Sequence, residues 1–128
     1  MLSNQEIVDY TKKIKNLLSS EDKWTKGKSA RNKDGGAANV QSNNAVCWCL
    51  TGAIHKIFAE IETGFYYPNL MRYYQIAFEE TKNVQIDKKL LNLFYLGWLI
   101  DFNDLHSTTY KDVMNLLDRI ERKYSIEA

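Results

Sequence analysis

Residues 46–61, VCWCLTGAIHKIFAEI, set the architecture predicted for this chain. Apolar side chains return at every third or fourth position, which places them on one face of an α-helix. These positions are Val46, Leu50, Ala53, Ile54, Ile57, Phe58 and Ile61. Asn43 or Asn44 is suited to cap the amino terminus of such a helix, and Gly64 is suited to end it. The stretch therefore predicts a central helix.

Two further helices are marked by the residues at their amino termini. Ser3 and Glu6 have the spacing of a capping box, which predicts a first helix over residues 4–19. Pro68 suits a first-turn position, because a helix leaves that N–H unpaired in any case, and it predicts a third helix that runs to about Thr81. Since the loop before Pro68 is short, we expect the second and third helices to be neighbours.

The carboxyl-terminal part of the sequence adds two more helices. Asp87 is suited to cap an apolar stretch over residues 90–100, which we expect to be helical and buried. Polar turn residues at 101–107 are expected to break that helix, and Thr108 or Thr109 to cap the last one. The apolar stripe of this last helix consists of Val113, Leu116, Leu117, Ile120 and Tyr124.

Residues 20–43, between the first two helices, lack any apolar periodicity and are rich in lysine, glycine, asparagine and serine. They predict either a long ordered loop or a β-hairpin in which 24–30 pairs with 37–41 and Asp34-Gly35 lies at the bend. A loop of this length is uncommon in a compact domain unless it has a function. The predicted fold is mainly α: one domain over residues 1–128, a compact bundle of about five helices with a long irregular or β-hairpin insert between the first and second helices.

The overall composition excludes several classes of protein. Lysine and arginine number 17 against 16 aspartate and glutamate residues, so no general field attracts nucleic acid or an anionic membrane. No apolar run approaches the roughly 18 residues of a membrane-spanning helix, and the first residues do not resemble a secretory signal, so we expect a cytoplasmic protein. Two cysteines and two histidines fall short of a structural zinc site, and we expect neither a metal nor a cofactor.

The insert gathers groups that suit an anionic ligand. Arg31 carries five N–H donors in a fixed geometry that matches phosphate or carboxylate, and it lies near Trp24 and Lys26 in the sequence. Lys28 and Lys33 add positive charge to the same segment. The structural alternative is an arginine that holds the insert down through an ion pair, beside lysines that only face solvent.

Two further groups of residues are candidates for chemistry. Cys49 near the start of the central helix could be a reactive thiol that uses His106 as its base, although a cysteine beside Trp48 also suits the core. Asn103 and Asp104, between two predicted helices, could receive ribose hydroxyls or a base edge, or could only form a turn or cap a helix. We place all four of Trp48, Cys49, Asn103 and Asp104 among the candidate ligand contacts.

The succession of these short motifs resembles a family of small uncharacterised proteins in bacterial and phage genomes, known as a domain of unknown function. The motifs are Trp24-Thr25-Lys26-Gly27, Ala30-Arg31 with Asp34-Gly35, Cys47-Trp48-Cys49-Leu50 with Gly52-Ala53, and Asn103-Asp104. Phe102 departs from the pattern, which more often has tryptophan there. The resemblance spans about residues 24–119 and implies positions but no mechanism; its phage members imply a setting in counter-defence, by capture of a signalling nucleotide.

Three hypotheses of function follow. The leading one is a non-enzymatic module that binds a small anionic or nucleotide-like ligand between the insert and the Asn103-Asp104 loop. It requires the insert to fold back against that loop. The second is a protein-interaction or homo-oligomeric module that uses Tyr66, Tyr67, Tyr73 and Tyr74. The third is the cysteine-dependent hydrolase.

Overall fold

A computed structural model describes residues 2–61, 68–84 and 95–127 and confirms the mainly α fold. Within these ranges the chain forms five helices and one sheet of two short strands. The helices are α1 Asn4–Leu17, α2 Leu50–Ile61, α3 Pro68–Val84, α4 Tyr95–Asp104 and α5 Tyr110–Glu127. The strands are β1 Ala30–Arg31 and β2 Cys47–Trp48, and a single 3-10 turn covers Glu21–Lys23.

The predicted capping box of α1 is confirmed. Ser3 Oγ accepts a hydrogen bond from the Glu6 N–H, and Glu6 Oε1 accepts one from the Ser3 N–H, both at 3.1 Å. The bond that the Ser3 N–H donates to the carboxylate favours its ionised form and lowers the pKa of Glu6. Helix α1 then lies against α5, where Lys15 Nζ is 2.6 Å from Asp118 Oδ1.

The predicted start of α2 after Asn43 or Asn44 is wrong, because the helix begins at Leu50. The preceding residues form β2, and the Trp48 indole donates to the Val40 carbonyl oxygen at 2.9 Å. Val46 fits the helical spacing but is 46% exposed, so its apolar character does not report a buried face. Burial of Trp48 and pairing of its strand outweigh the local periodicity.

The predicted turn of the insert is confirmed, but its strand partners are wrong. Gly35 has a φ of 86°, which favours glycine, and its N–H donates to the Asn32 carbonyl oxygen at 3.0 Å. Strand β1 pairs antiparallel with β2, with Ala30 opposite Trp48, rather than with residues 37–41. That segment is joined to β1 through an isolated bridge between Arg31 and Ala37.

The bounds of α3 and α5 agree more closely with those predicted from the sequence. Helix α3 begins at Pro68 as predicted, and Thr109 caps α5, since its Oγ1 accepts from the Asp112 N–H at 3.1 Å. The break predicted at 101–107 comes later, because α4 continues to Asp104. Phe102 is fully buried and holds this last turn of α4 in the core. The proposed cap Asp87 and residues 90–94 lie outside the described residues.

The core lies where α1, α2, α3 and α5 meet. The Phe58 ring centroid is 4.8 Å from that of Tyr10 and 5.2 Å from that of Tyr73. Tyr73 and Tyr74 are both buried inside the chain, while Tyr66 and Tyr67 lie outside the described residues. In the described part of the chain, no helix has the length and apolar character needed to cross a membrane.

Candidate functional site

The insert folds back against the loop between α4 and α5, as the leading hypothesis requires. The Trp24 indole Nε1 donates to Asn103 Oδ1 at 2.7 Å, and the Gly27 N–H donates to Asp104 Oδ1 at 3.0 Å. Lys26 Nζ donates to the carbonyl oxygen of Leu105. Groups separated by almost 80 positions in the chain therefore meet at one place.

Asn103 is the centre of this junction and is fully buried. Besides Trp24, its Oδ1 accepts the Leu50 N–H at 3.0 Å, and its Nδ2 donates to the Thr25 carbonyl oxygen at 3.0 Å and to Asp104 Oδ1 at 2.9 Å. The bond to Leu50 satisfies the first backbone amide of α2, which has no acceptor within the helix. One side chain thus joins the insert, α2 and α4, a role outside its local turn that sequence alone did not reveal.

Arg31 is directed into the insert itself. Its Nε donates to Thr25 Oγ1 at 2.8 Å, Nη1 to the Gly35 carbonyl oxygen at 2.8 Å and Nη2 to the Lys26 carbonyl oxygen at 2.7 Å. No carboxylate among the described residues pairs with it. The guanidinium therefore ties the two sides of the insert together through neutral oxygens rather than through an ion pair.

Trp48 and Cys49 are buried where β2 passes into α2. Cys49 Sγ accepts a hydrogen bond from the Gly52 N–H at 3.3 Å and lies 3.2 Å from Thr51 Oγ1, so the thiol caps the helix. The Cys49 N–H donates to the Ser29 carbonyl oxygen at 3.1 Å. His106, the base that a cysteine hydrolase would use, is exposed between α4 and α5.

A groove of about 540 Å³ opens where the insert crosses the first turns of α2. We call it the insert groove; its described lining is Ser29, Ala38, Asn39, Val40, Gln41, Thr51, Gly52, His55, Tyr74 and Ile100. Two of these residues are named from the sequence, Gly52 within the Gly52-Ala53 motif and Tyr74 within the interaction hypothesis. None of the ten is predicted from the sequence to contact a ligand.

Gly52 allows the insert to approach α2 closely. A Cβ atom built at this position would lie 2.0 Å from the Ser29 carbonyl oxygen, a distance that no real Cβ contact tolerates. The glycine thus brings a backbone segment, rather than another helix, against the first turn of α2. It fixes the depth of the insert groove at Ser29.

A smaller cleft of about 120 Å³ adjoins the insert groove. It is lined by Gly27, Lys28, Ser29, Cys49, Thr51, Ile100 and Asp104, so the two cavities share Ser29, Thr51 and Ile100. Cys49 and Asp104 are therefore the predicted site residues that face a cavity here. Trp24, Lys26, Arg31, Trp48 and Asn103 are not in the lining of either one.

The polar groups of the insert groove are held in defined states. The Tyr74 hydroxyl donates to the Thr51 carbonyl oxygen at 3.3 Å, and burial raises the pKa of Tyr74, so the hydroxyl keeps its proton. Among the described residues, no three His, Cys, Asp or Glu side chains cluster in a way that could hold a metal ion. The polar groups of the described lining are hydroxyls, amides and an imidazole, which can form hydrogen bonds with a ligand.

These features define a class of mainly α protein in which a hydrogen-bonded insert covers the start of the second helix. The chain belongs to the family described as Family of unknown function (DUF6197), whose model matches residues 3–123. The curated proteins and the solved structures contain no match to it. The family description names no activity. The feature of this chain that suggests a function is the insert groove.

Proposed function

We propose that this protein is a non-enzymatic binding module that takes a small polar, anionic or nucleotide-like ligand in the insert groove. The observation that carries the proposal is the groove itself, at about 540 Å³. That volume is within the usual range for small-molecule sites, roughly 300–1,000 Å³. Hydroxyl, amide and imidazole groups line it from the insert, α2 and α3.

The residues singled out in the sequence support this function by fixing one wall of the groove. Arg31 joins the two sides of the insert, and Asn103 joins the insert to α2. A wall held by several hydrogen bonds loses little conformational entropy when a ligand binds, and this preorganisation favours affinity. Lys26 acts alongside them through its bond to Leu105.

Two observations favour this function over the other hypotheses. The Cys49 thiol is 6% exposed and accepts a hydrogen bond from its own helix, which suits a cap better than a nucleophile. The interaction hypothesis depends on tyrosines of which two, Tyr73 and Tyr74, are buried in the core. Binding in the open groove does not require Cys49, Tyr73 or Tyr74 to leave its buried position.

A thermal-shift screen tests the proposal. The compounds are linear and cyclic nucleotides, nucleosides, sugars and small carboxylic acids; the cyclic nucleotides also address the proposed setting in phage counter-defence. A ligand at about 100 times its Kd adds about 2.7 kcal/mol to the free energy of unfolding, so we expect the melting temperature to rise by roughly 10 °C.

Matched variants connect a hit to the insert groove. Gln41→Ala and His55→Ala change lining residues and should reduce the shift, whereas Asn16→Ala on the exposed face of α1 should leave it intact. A screen in which no compound raises the melting temperature contradicts the proposed function. So does a hit that is equally strong in both groove variants.

A further inference from the structure

The insert groove carries almost no charge. None of its ten described lining residues is an aspartate, glutamate, lysine or arginine. The adjoining cleft contributes Lys28 and Asp104, which have opposite signs. The site as a whole therefore has no net positive field to attract phosphate groups.

Two cations of the insert, Arg31 and Lys26, donate to other parts of the chain and do not line the groove. Arg31 donates to oxygens of Thr25, Lys26 and Gly35. Lys26 donates to Leu105 and lies over the Trp24 ring, 5.5 Å from its centroid. A phosphate placed in the groove would give up part of its hydration without gaining a cationic partner from the described lining.

The lining residues of the groove suit an uncharged heterocycle with a hydroxylated sugar. The Gln41 amide presents both donors and an acceptor, as the edge of a nucleobase requires, and Asn39 adds the N–H donors of Nδ2, since its Oδ1 already accepts the Gln41 N–H. Ser29 adds a hydroxyl, while the His55 imidazole and the Thr51 side chain also line the groove. Ile100, at 42% exposed, gives an apolar surface against which a flat ring can pack.

We infer that the ligand of the insert groove is a nucleoside, recognised through its base and sugar, and that any phosphate it carries stays in solvent outside the groove. This inference rests on the proposed binding function and narrows it. It predicts recognition by neutral hydrogen bonds and apolar contact rather than by charge.

Isothermal titration calorimetry distinguishes the two kinds of recognition. The probes are the four common ribonucleosides, their 5′-mono- and triphosphates, and inorganic phosphate and pyrophosphate alone. For the nucleoside that binds best, we expect a Kd within about threefold of those of its mono- and triphosphate, and little change between low and high salt, because screening acts on charge. Inorganic phosphate and pyrophosphate should not bind.

Variants locate the recognition. Gln41→Ala changes an exposed lining residue and should weaken nucleoside binding by about fivefold, the effect of one ordinary hydrogen bond. Lys28→Ala tests the role of charge, because it removes the cation of the cleft; recognition by neutral groups predicts a change in Kd of less than about twofold. The control is Asn16→Ala, which lies outside both cavities.

Three results would overturn the inference. The first is binding of phosphate or pyrophosphate alone, and the second is a tenfold gain in affinity with each added phosphate that high salt abolishes. In the third, no nucleoside binds while another compound of the thermal-shift screen does; the ligand class is then wrong and the binding function stands. Failure of every compound in that screen removes both.

Discussion

At the scale of single residues, Gly52 shows how closely the insert packs against α2. Helix propensity alone favours alanine over glycine by about 1 kcal/mol inside a helix. A Cβ at Gly52, however, would lie 2.0 Å from the Ser29 carbonyl oxygen, and this oxygen also accepts the Cys49 N–H. Because both sides of the contact are backbone, neither can turn aside as a flexible side chain would.

Gly52→Ala should therefore destabilise the protein despite its better propensity. We expect a loss of about 2–3 kcal/mol in the free energy of unfolding, typical of overpacking at a buried contact, measured by urea denaturation. Gly36→Ala is the control, since a Cβ there would meet only the Asn32 side chain, at 3.3 Å, and should cost less than about 0.5 kcal/mol. Equal stability of Gly52→Ala and the parent would show that the insert does not pack so closely.

At the scale of elements, the sequence predicts those whose signals are local. The capping boxes of α1 and α5 each join residues three positions apart, and Pro68 acts on its own helix. Here these signals agree with the tertiary packing of their helices, whereas the cap signal at Asn43 or Asn44 does not, since α2 begins at Leu50. The helices that carry them begin where the sequence indicates.

Elements fixed by distant contacts could not be placed in this way. Strand β1 finds its partner at Cys47–Trp48, and the start of α2 depends on an amide from Asn103, 53 positions beyond Leu50. Neither partner can be recognised from the sequence pattern around the element that it fixes. The motifs did locate the junction of the insert with α4, but the residues of the insert groove come from segments that meet only in the fold.

Asn103 supports a prediction at this same scale. Asn103→Ala leaves the buried Leu50 N–H and the partly buried Trp24 indole and Thr25 carbonyl without their partner. Each unsatisfied buried group costs about 1–3 kcal/mol, and partial relaxation should bring the total to about 3 kcal/mol. Hydrogen exchange should accelerate most at the amides of 25–29 and at the first turn of α2, since the insert is released there.

The matched control for this prediction is Asn16→Ala, which changes the same side chain on the exposed face of α1. It should alter the free energy of unfolding by less than about 0.5 kcal/mol. Uniform acceleration of exchange across all helices in Asn103→Ala would contradict a local clamp and indicate a general loss of packing.

At the scale of the whole molecule, the core contains titratable groups that limit its stability in alkali. Burial raises the pKa of both Tyr73 and Tyr74 well above the usual value. The pKa of Lys15 is also raised, mainly by its hydrogen bond to Asp118 and then by its hydrogen bond to Glu121. All three groups therefore hold their protons more tightly in the folded chain than in the unfolded one.

The sign of the resulting pH dependence follows from proton linkage. Below about pH 10 the two tyrosines are protonated in both states, so their contribution to stability is complete. As the pH rises further, the unfolded chain releases protons that the folded chain retains, and the free energy of unfolding should fall by roughly 1.4 kcal/mol per pH unit for each buried tyrosine. Urea denaturation between about pH 8 and 11 measures this slope. Tyr74→Phe removes one of the two buried hydroxyls and its 3.3 Å bond to the Thr51 carbonyl oxygen. It should lower stability slightly at neutral pH but reduce the alkaline slope by roughly 1.4 kcal/mol per pH unit, the share of one buried tyrosine. A slope that is the same in both proteins would mean that Tyr74 ionises while the chain is folded.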